Sequence, residues 1–356
     1  MQLIENQPLA PFTTFGIGGP ARWFAEAQSE ADIAEACEWA RDKGLPMFVL
    51  GGGSNVLISD RGFPGLVLHI ALQGIERDGE LFRVAAGEPW DNCVEQATKA
   101  SWAGIECLAG IPGTVGGTPV QNVGAYGQEV SNVIERVRVF DVEAGRFLEL
   151  SKDDCGFSYR RSRFNTTDRG RFIVARVDYR LQQGGSPTLT YGDLKLHFQS
   201  RAETPSLSEV AEAVRGIRWS KGMLIVDSDP DCRSAGSFFK NPAVPQDAVK
   251  KVAEIAARTG MPLRSYPGEN GLVKIPAAWL IEQAGFARGY RLGAAGISSR
   301  HTLALVNYGG AGEGGATAEE ILGLAKKIAD AVEANFGIRL EMEPEKVGLL
   351  STEHVQ

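Results

Sequence analysis

The sequence predicts a mixed α+β protein of two or three domains. Three observations carry that reading. The chain has 356 residues, more than a single hydrophobic core usually serves. Capped helical segments and strand-like segments alternate along its length without an internal repeat. A glycine-, serine- and proline-bearing stretch, Gln182 to Thr190, interrupts the pattern where a domain boundary can fall.

Composition narrows the class. Hydrophobic residues make up 43% and charged residues 23%, ordinary for a soluble globular chain. A formal net charge of -7 and a pI near 5.4 argue against nucleic acid or an anionic membrane as partner. The first residues, MQLIENQPLAPF, lack the basic flank and apolar core of a signal peptide, and no apolar run is long enough to span a bilayer. The cysteines, at 37, 93, 107, 155 and 232, are odd in number and form no CxxC pair, which fits a reduced, cytoplasmic compartment. Cysteine and histidine never cluster at ligand spacing, so no metal site is expected. The histidines, at 69, 197, 301 and 354, are scattered and read as structural.

Taken in order, Phe12 to Ala21 reads as a short glycine-bearing strand or turn. Ser29 and Asp32 form an N-cap pair, and Ile33, Ala36, Cys37 and Ala40 give the helix behind it an apolar face that Gly44-Leu45-Pro46 stops. Met47 to Leu50 is a buried strand that runs into Gly51-Gly52-Gly53-Ser54-Asn55, and Val56 to Ser59 is a strand that leaves it. This is not a Rossmann fingerprint, because Val56 stands where a third glycine belongs and strand follows where a helix should open. The loop can still offer backbone N–H groups to a pyrophosphate.

Residues 66 to 87 alternate strands and turns, and Trp90 to Ala100 reads as a short helix. Val133 to Phe140 and Phe147 to Leu150 make a hairpin, Gly156 to Phe164 a basic, aromatic connector, and Phe172 to Leu181 a strand. Ser206 and Glu209 cap a helix that runs to Arg215, Lys221 to Ala235 reads as loop, and further helices are expected over Gln246–Arg258 and Pro276–Ala284. Thr302–Val306 is strand-like. Thr317 and Glu320 box the start of the clearest helix, Ala318–Asn335, with Ile321, Leu324, Ile328 and Val332 as its core stripe and Gly337 as its stop. Ile338 to Glu343 alternates as a strand.

Between the second helix and the hairpin lies Leu108 to Glu129, with glycines at 110, 113, 116, 117, 124 and 127 and prolines at 112 and 119. That spacing of breakers leaves no helix or strand intact. Ile111, Val115, Val120, Val123 and Tyr126 are too apolar for a solvated linker. An ordered glycine-rich loop of this kind is either a packed turn region or a place where backbone comes close to something flat or anionic.

Several motifs, in order, resemble one family, the UDP-N-acetylenolpyruvoylglucosamine reductases. They are Phe15 to Gly19 (FGIGG), Val49 to Leu57 (VLGGGSNVL), Gly110 to Gly117 (GIPGTVGG), Gln121 to Glu129 (QNVGAYGQE), Tyr159-Arg160, Thr190 to Leu194 (TYGDL), Gly236 to Pro242 (GSFFKNP) and Glu343. The resemblance implies an FAD-binding fold of the vanillyl-alcohol-oxidase type, with two flavin-holding subdomains and a C-terminal α/β substrate-binding domain. It implies boundaries at 1–65, 66–185, a linker with the substrate loop at 186–206, and 207–356. It implies reduction of UDP-N-acetylglucosamine enolpyruvate to UDP-N-acetylmuramate by NADPH through FAD, in peptidoglycan precursor synthesis. The catalytic residues it implies are Arg160, Ser237 and Glu343. The flavin loops it implies are Gly51, Gly52, Gly53, Ser54 and Asn55, and Ile111, Pro112, Gly113, Gly116 and Gly117. Gln121, Tyr126, Tyr159, Tyr191, Arg218, Lys221 and Asn241 correspond to substrate contacts, with Tyr191 on a loop that folds over the sugar nucleotide. Two departures stand out: the segment from Lys221 to Gly236 is longer than the resemblance implies, and Glu343-Pro344-Glu345-Lys346 lacks the arginine many members carry shortly after the glutamate.

Residue chemistry supports these assignments. Hydride addition to the enol ether leaves negative charge that spreads into the substrate carboxylate, and a cation and a hydrogen-bond donor must meet it. Arg160 stays charged and planar. Glu343 helps only as the protonated acid or by holding Arg160. Ser237 is the candidate proton donor for the carbanion, and Lys240, Asn241 or a water would have to offset the alkoxide it leaves. Singly, Arg160 also reads as part of a basic surface run, Glu343 as a solvated strand residue, Ser237 as a turn cap, and Tyr126 and Tyr191 as core aromatics. Two other functions compete. One is another FAD-dependent oxidoreductase of the same fold, often with the flavin linked through His or Cys, neither of which occurs from Gly51 to Ser59. The other is a non-catalytic flavin or nucleotide-sugar binder. FAD is therefore expected to be bound non-covalently.

Overall fold

The computed structural model describes residues 1–310 and 314–349, apart from the side chains of Thr259 and Glu269, so His354 lies outside the described residues. The chain divides into two compact units. The first holds Met1–Pro8, Pro20–Gly53 and Phe63–Ser220, and the second holds Leu9–Gly19, Ser54–Gly62 and Lys221–Gln356.

Beside two short two-stranded sheets, the first unit is built on two larger ones. In one, the strands run Leu3–Pro8, Pro20–Ala27, Phe63–Ile70, Met47–Leu50, the first pair antiparallel and the other two parallel. Helix α1, Glu30–Asp42, links two of its parallel strands; the Ser29–Asp32 capping box is formed, and Ile33, Ala36, Cys37 and Ala40 are buried. The other sheet is antiparallel, in the order Arg146–Ser151, Ile134–Asp141, Phe172–Arg180, Leu81–Ala85, Ile75–Asp78. The hairpin expected around Glu143 to Gly145 is its edge, turned by the Gly145 N–H donating to Asp141 O (2.8 Å).

Three more helices follow: α2 Trp90–Lys99, α3 Gly192–Phe198 and α4 Leu207–Ser220. Helix α3 falls in the TYGDL motif, where glycine and short length hide any periodicity; only its Leu194 is buried. Helix α4 continues five residues past the expected stop at Arg215. Gly216 does not break it, because Val210, Ala211, Val214 and Arg218 form one buried stripe that tertiary packing rewards.

The second unit has its own core. Helix α5 spans Gln246–Thr259, α6 Ala277–Gln283 and α7 Ala318–Phe336. Helix α7 is capped by the Thr317–Glu320 box, ends at Gly337 (φ 67°), and buries Ile321, Leu324, Ile328 and Val332. A three-stranded antiparallel sheet, Arg291–Leu292, Ala295–Ile297 and Leu305–Asn307, lies against it. The strand expected from Thr302 thus begins three residues later, after a turn in which Ala304 N–H donates to His301 O (3.1 Å).

The strand expected over Ile338 to Glu343 also differs. Ile338 and Leu340 are buried and their polar neighbours exposed, as the alternation required, but the regular ladder lies at Glu345–Val347, parallel to Val56–Ile58. Pro344 has no N–H to continue a ladder, so Glu341 to Glu343 make a separate contact with Phe238 to Lys240. Among the described residues no helix is long and apolar enough to cross a membrane, and no group of acidic, histidine or cysteine side chains is placed to hold a metal ion.

Candidate active site

The glycine loops of the first unit touch through bare backbone. A Cβ on Gly52 would sit 2.6 Å from Gly113 Cα, and one on Gly51 would sit 2.9 Å from Thr114 Oγ1. On the other side, a Cβ on Gly116 would meet Ala86 Cβ at 2.7 Å. Real Cβ atoms do not approach so closely, so glycine is required at 52 and 116, while at 51 the Thr114 side chain would have to turn away. Gly53 has φ of 60°. Ser54 and Asn55, the rest of the first loop, belong to the second unit.

Hydrogen bonds hold the second loop rigid. Trp90 N–H donates to Gly113 O (3.0 Å), Val115 N–H to Glu88 O (2.9 Å) and Gly116 N–H to Ala86 O (2.8 Å). Gly110 is held twice, its N–H donating to Asp91 Oδ1 (2.6 Å) and its carbonyl accepting from Arg218 Nε (2.9 Å). Ile111, Pro112, Gly113 and Thr114 remain half-buried, and the Thr114 hydroxyl is buried without a hydrogen-bond partner among the described residues. A tight glycine cradle with an orphaned hydroxyl fits a ligand that brings its own acceptors. Thr114 was not singled out from sequence; its place inside GIPGTVGG was the available signal.

Arg160 occupies a tight turn closed by reciprocal hydrogen bonds between Ser158 and Arg161 (3.0 and 3.1 Å). Its φ is 57°, a left-handed conformation that a β-carbon disfavours. Its Nη2 donates to Gly124 O (2.7 Å), and its guanidinium lies 5.4 Å from the Tyr159 ring centroid. Among the described residues six non-glycine residues have positive φ, and three of them, Asn122, Tyr126 and Arg160, fall in this region, where such strain is expected if the site needs these side chains aimed. Asn122, which sequence reasoning missed, is buried and ties the parts together: its Nδ2 donates to Ser158 O (3.1 Å) and its Oδ1 accepts from Ser131 N–H (3.1 Å). Gln121 is half-buried in the turn just before it.

Tyr126 is buried and stacks edge-on against the half-exposed Tyr191, with ring centroids 5.2 Å apart. It also hydrogen-bonds the buried Arg218. Burial lowers the Arg218 pKa from the usual guanidinium value, and Tyr126 and Asp91 oppose that shift. Arg218 therefore braces the glycine-rich stretch at two points, Gly110 and Tyr126.

In the second unit, Ser237 and Glu343 lie on neighbouring extended segments. Glu343 N–H donates to Phe238 O (2.9 Å), Lys240 N–H donates to Glu341 O (2.9 Å), and Phe239 bridges Met342. Gly236 turns the chain ahead of Ser237 with φ of 68°, and the fully buried Phe238 anchors it from behind. Asn55 reaches the same place: its Nδ2 donates to Glu343 O (3.3 Å), and its carbonyl accepts from Glu345 N–H (2.9 Å). Lys240 is paired with Glu341, and Asn241 Oδ1 accepts from Ala277 N–H (2.8 Å) at the start of α6.

Lys221 opens the long segment to Gly236, which is loop throughout. Buried Asp231 holds that loop, accepting from Ser299 Oγ (2.6 Å), Tyr308 Oη (2.6 Å) and Arg300 Nε (3.1 Å). Nearby, burial and the charges of Lys221 and Arg288 push His301 down to about 4, while its Nδ1 accepts from Leu303 N–H (3.1 Å).

Known proteins share this arrangement across nearly the whole chain. A family model described as an FAD binding domain matches residues 21–151. One described as the C-terminal domain of UDP-N-acetylenolpyruvoylglucosamine reductase matches residues 229–347. The UDP-N-acetylenolpyruvoylglucosamine reductase of Streptomyces coelicolor is 43% identical, over 98% of this chain and 91% of its own. That of Pseudomonas putida is 38% identical, over 97% and 98%. The crystal structure of UDP-N-acetylenolpyruvylglucosamine reductase from Thermus caldophilus superposes with a TM-score of 0.65 at 27% identity, covering 97% of this chain and 98% of that one. The chain, with an α+β FAD-binding fold of the vanillyl-alcohol-oxidase type, belongs to the UDP-N-acetylenolpyruvoylglucosamine reductase family.

Proposed function

We infer that this protein reduces UDP-N-acetylglucosamine enolpyruvate to UDP-N-acetylmuramate, with NADPH as reductant and FAD as cofactor, in the cytoplasm and on small-molecule substrates alone. The observation that carries the reading is the pairing of the Ser237 and Glu343 segments in the second unit through Phe238 O. That pairing puts a hydroxyl and a carboxyl on adjacent extended segments.

The two glycine loops suit FAD. Gly51, Gly52 and Gly53 with Ser54 and Asn55 would take the pyrophosphate, and Ile111, Pro112, Gly113, Gly116 and Gly117 would flank the rest, with the orphaned Thr114 hydroxyl as an added donor. Bound FAD supplies the hydride. Arg160 takes the substrate carboxylate and meets the charge that builds there; the cost of its left-handed backbone is about 1–3 kcal/mol, which a fixed aim would justify. Ser237 Oγ delivers the proton to the carbanion. Glu343 orients that exchange from the neighbouring segment. Lys240 is engaged by Glu341, and the bond to α6 uses only the Oδ1 of Asn241, so the Nδ2 of Asn241 or a water is the group that relieves the serine alkoxide.

Gln121, Tyr126, Tyr159, Tyr191, Arg218, Lys221 and Asn241 hold the substrate. For Arg218 the buried position favours an indirect part, through Tyr126. The test is NADPH oxidation by the purified protein. It should depend on the enolpyruvyl sugar nucleotide; oxidation at the same rate without it would point to another flavoenzyme.

A further inference from the structure

We propose that Glu106 is a positioning residue for the substrate loop, pinning the root of the segment that carries Tyr191. The proposal rests on the reading of Tyr191 as a substrate contact.

Glu106 is 0% exposed, yet it is a carboxylate. Three N–H donors from three parts of the chain converge on it, each at 2.8 Å: Thr188 N–H and Gln128 Nε2 on Oε1, and Gly104 N–H on Oε2. Only an acceptor-only group satisfies that pattern. Thr188 stands three residues before Tyr191, and Gln128 two residues after Tyr126 near the end of the glycine-rich stretch. A second layer locks the join. Cys107 N–H donates to Gln128 Oε1 (2.8 Å), Gln128 Nε2 also reaches Thr188 Oγ1 (3.2 Å), and Cys107 Sγ donates to Thr188 O (3.2 Å).

The far end of the loop is fixed by Leu194, also 0% exposed. Between Thr188 and Leu194 lies Tyr191, 44% exposed. Its ring meets Tyr126. Gly127 lies under the same loop, where a Cβ would stand 2.4 Å from Thr190 Oγ1. The buried carboxylate therefore sets where the loop starts relative to the Tyr126 turn, and with it the place of the Tyr191 hydroxyl.

Glu106→Gln tests this. An amide presents N–H to at least one of the three donors, which costs a buried bond and adds a donor–donor clash. Titration of UDP-N-acetylglucosamine enolpyruvate into the oxidised holoenzyme should show binding weakened roughly tenfold, the scale of one unsatisfied buried group. Flavin content and anaerobic flavin reduction by NADPH should be unchanged. In a Tyr191→Phe background the same substitution should change binding by less than about twofold, because coupled residues are not additive. Thr188→Gly, which keeps Glu106 but loosens the pin, should weaken binding in the same direction and decides the matter if Glu106→Gln does not fold. Equal weakening with and without the Tyr191 hydroxyl, loss of flavin alongside substrate, or unchanged binding in a folded Glu106→Gln or Thr188→Gly protein overturns the proposal. If Tyr191→Phe alone binds substrate normally, the reading of Tyr191 fails first and takes the proposal with it.

Discussion

Replacing Ser237 by alanine should separate the two halves of the reaction. The structure lets the cost to folding be judged beforehand. Ser237 is half-buried, and its Oγ makes no hydrogen bond among the described residues. The backbone around it is held independently, by Phe238 N–H donating to Leu303 O (2.7 Å) and by the Glu343–Phe238 bond. Phe238 is further fixed in edge-on stacks with Phe15 and Phe239. Removing one hydroxyl should then change stability by no more than about 0.5 kcal/mol. Reduction of the flavin by NADPH makes no carbanion and has no use for the serine proton. Reduction of the enolpyruvyl group does, and a positioned general acid is typically worth about 10²–10⁴-fold, roughly 3–5 kcal/mol of barrier. Stopped-flow absorbance should show normal bleaching of the flavin with NADPH under anaerobic conditions. Reoxidation by the enolpyruvyl substrate should slow by at least about 10²-fold. Ser237→Cys, which keeps a proton donor, should retain more activity than alanine. If both halves slow alike, or the second does not slow, Ser237 only shapes the turn after Gly236.

Acid precipitation of the yellow protein should release the flavin to the supernatant, since Gly51 to Ser59 holds no His or Cys; colour kept in the washed pellet would contradict this. Gly52→Ala should purify with much less flavin, because its Cβ would stand 2.6 Å from Gly113 Cα and force the two loops apart; a normal flavin-to-protein absorbance ratio would refute the close fit. Tyr191→Phe should keep the stack on Tyr126 and lose one hydrogen bond, weakening substrate binding by about 0.5–1.5 kcal/mol with flavin affinity unchanged. Loss of flavin instead would place this tyrosine in the wrong site. His301, at about 4 in the folded protein against 6.5 unfolded, binds its proton more readily when unfolded, so its contribution is present above pH 6.5 and is lost as pH falls toward 4. Urea unfolding should show about 2 kcal/mol of stability lost between pH 7 and pH 5 that His301→Asn does not lose.

Local chemistry was legible in the sequence because it depends on neighbours in the chain. The Ser29–Asp32 and Thr317–Glu320 boxes, the stop at Gly337 and the apolar stripe of α7 all formed as written, since capping and periodicity act within one or two turns. The glycine spacing from 110 to 127 announced an ordered loop, and the motif order announced the family. Tertiary contacts decided the rest. Helix α4 runs through Gly216 because a buried stripe outweighs one poor helix former. The C-terminal ladder starts after Pro344 because its partner is Val56–Ile58, nearly three hundred residues earlier in the chain. No sequence pattern marks that Glu106 is buried among three donors, that the Thr114 hydroxyl is left without one partner, or that Arg160 is held left-handed. Each depends on which distant segments supply the donors and acceptors around it, and only the folded chain fixes that.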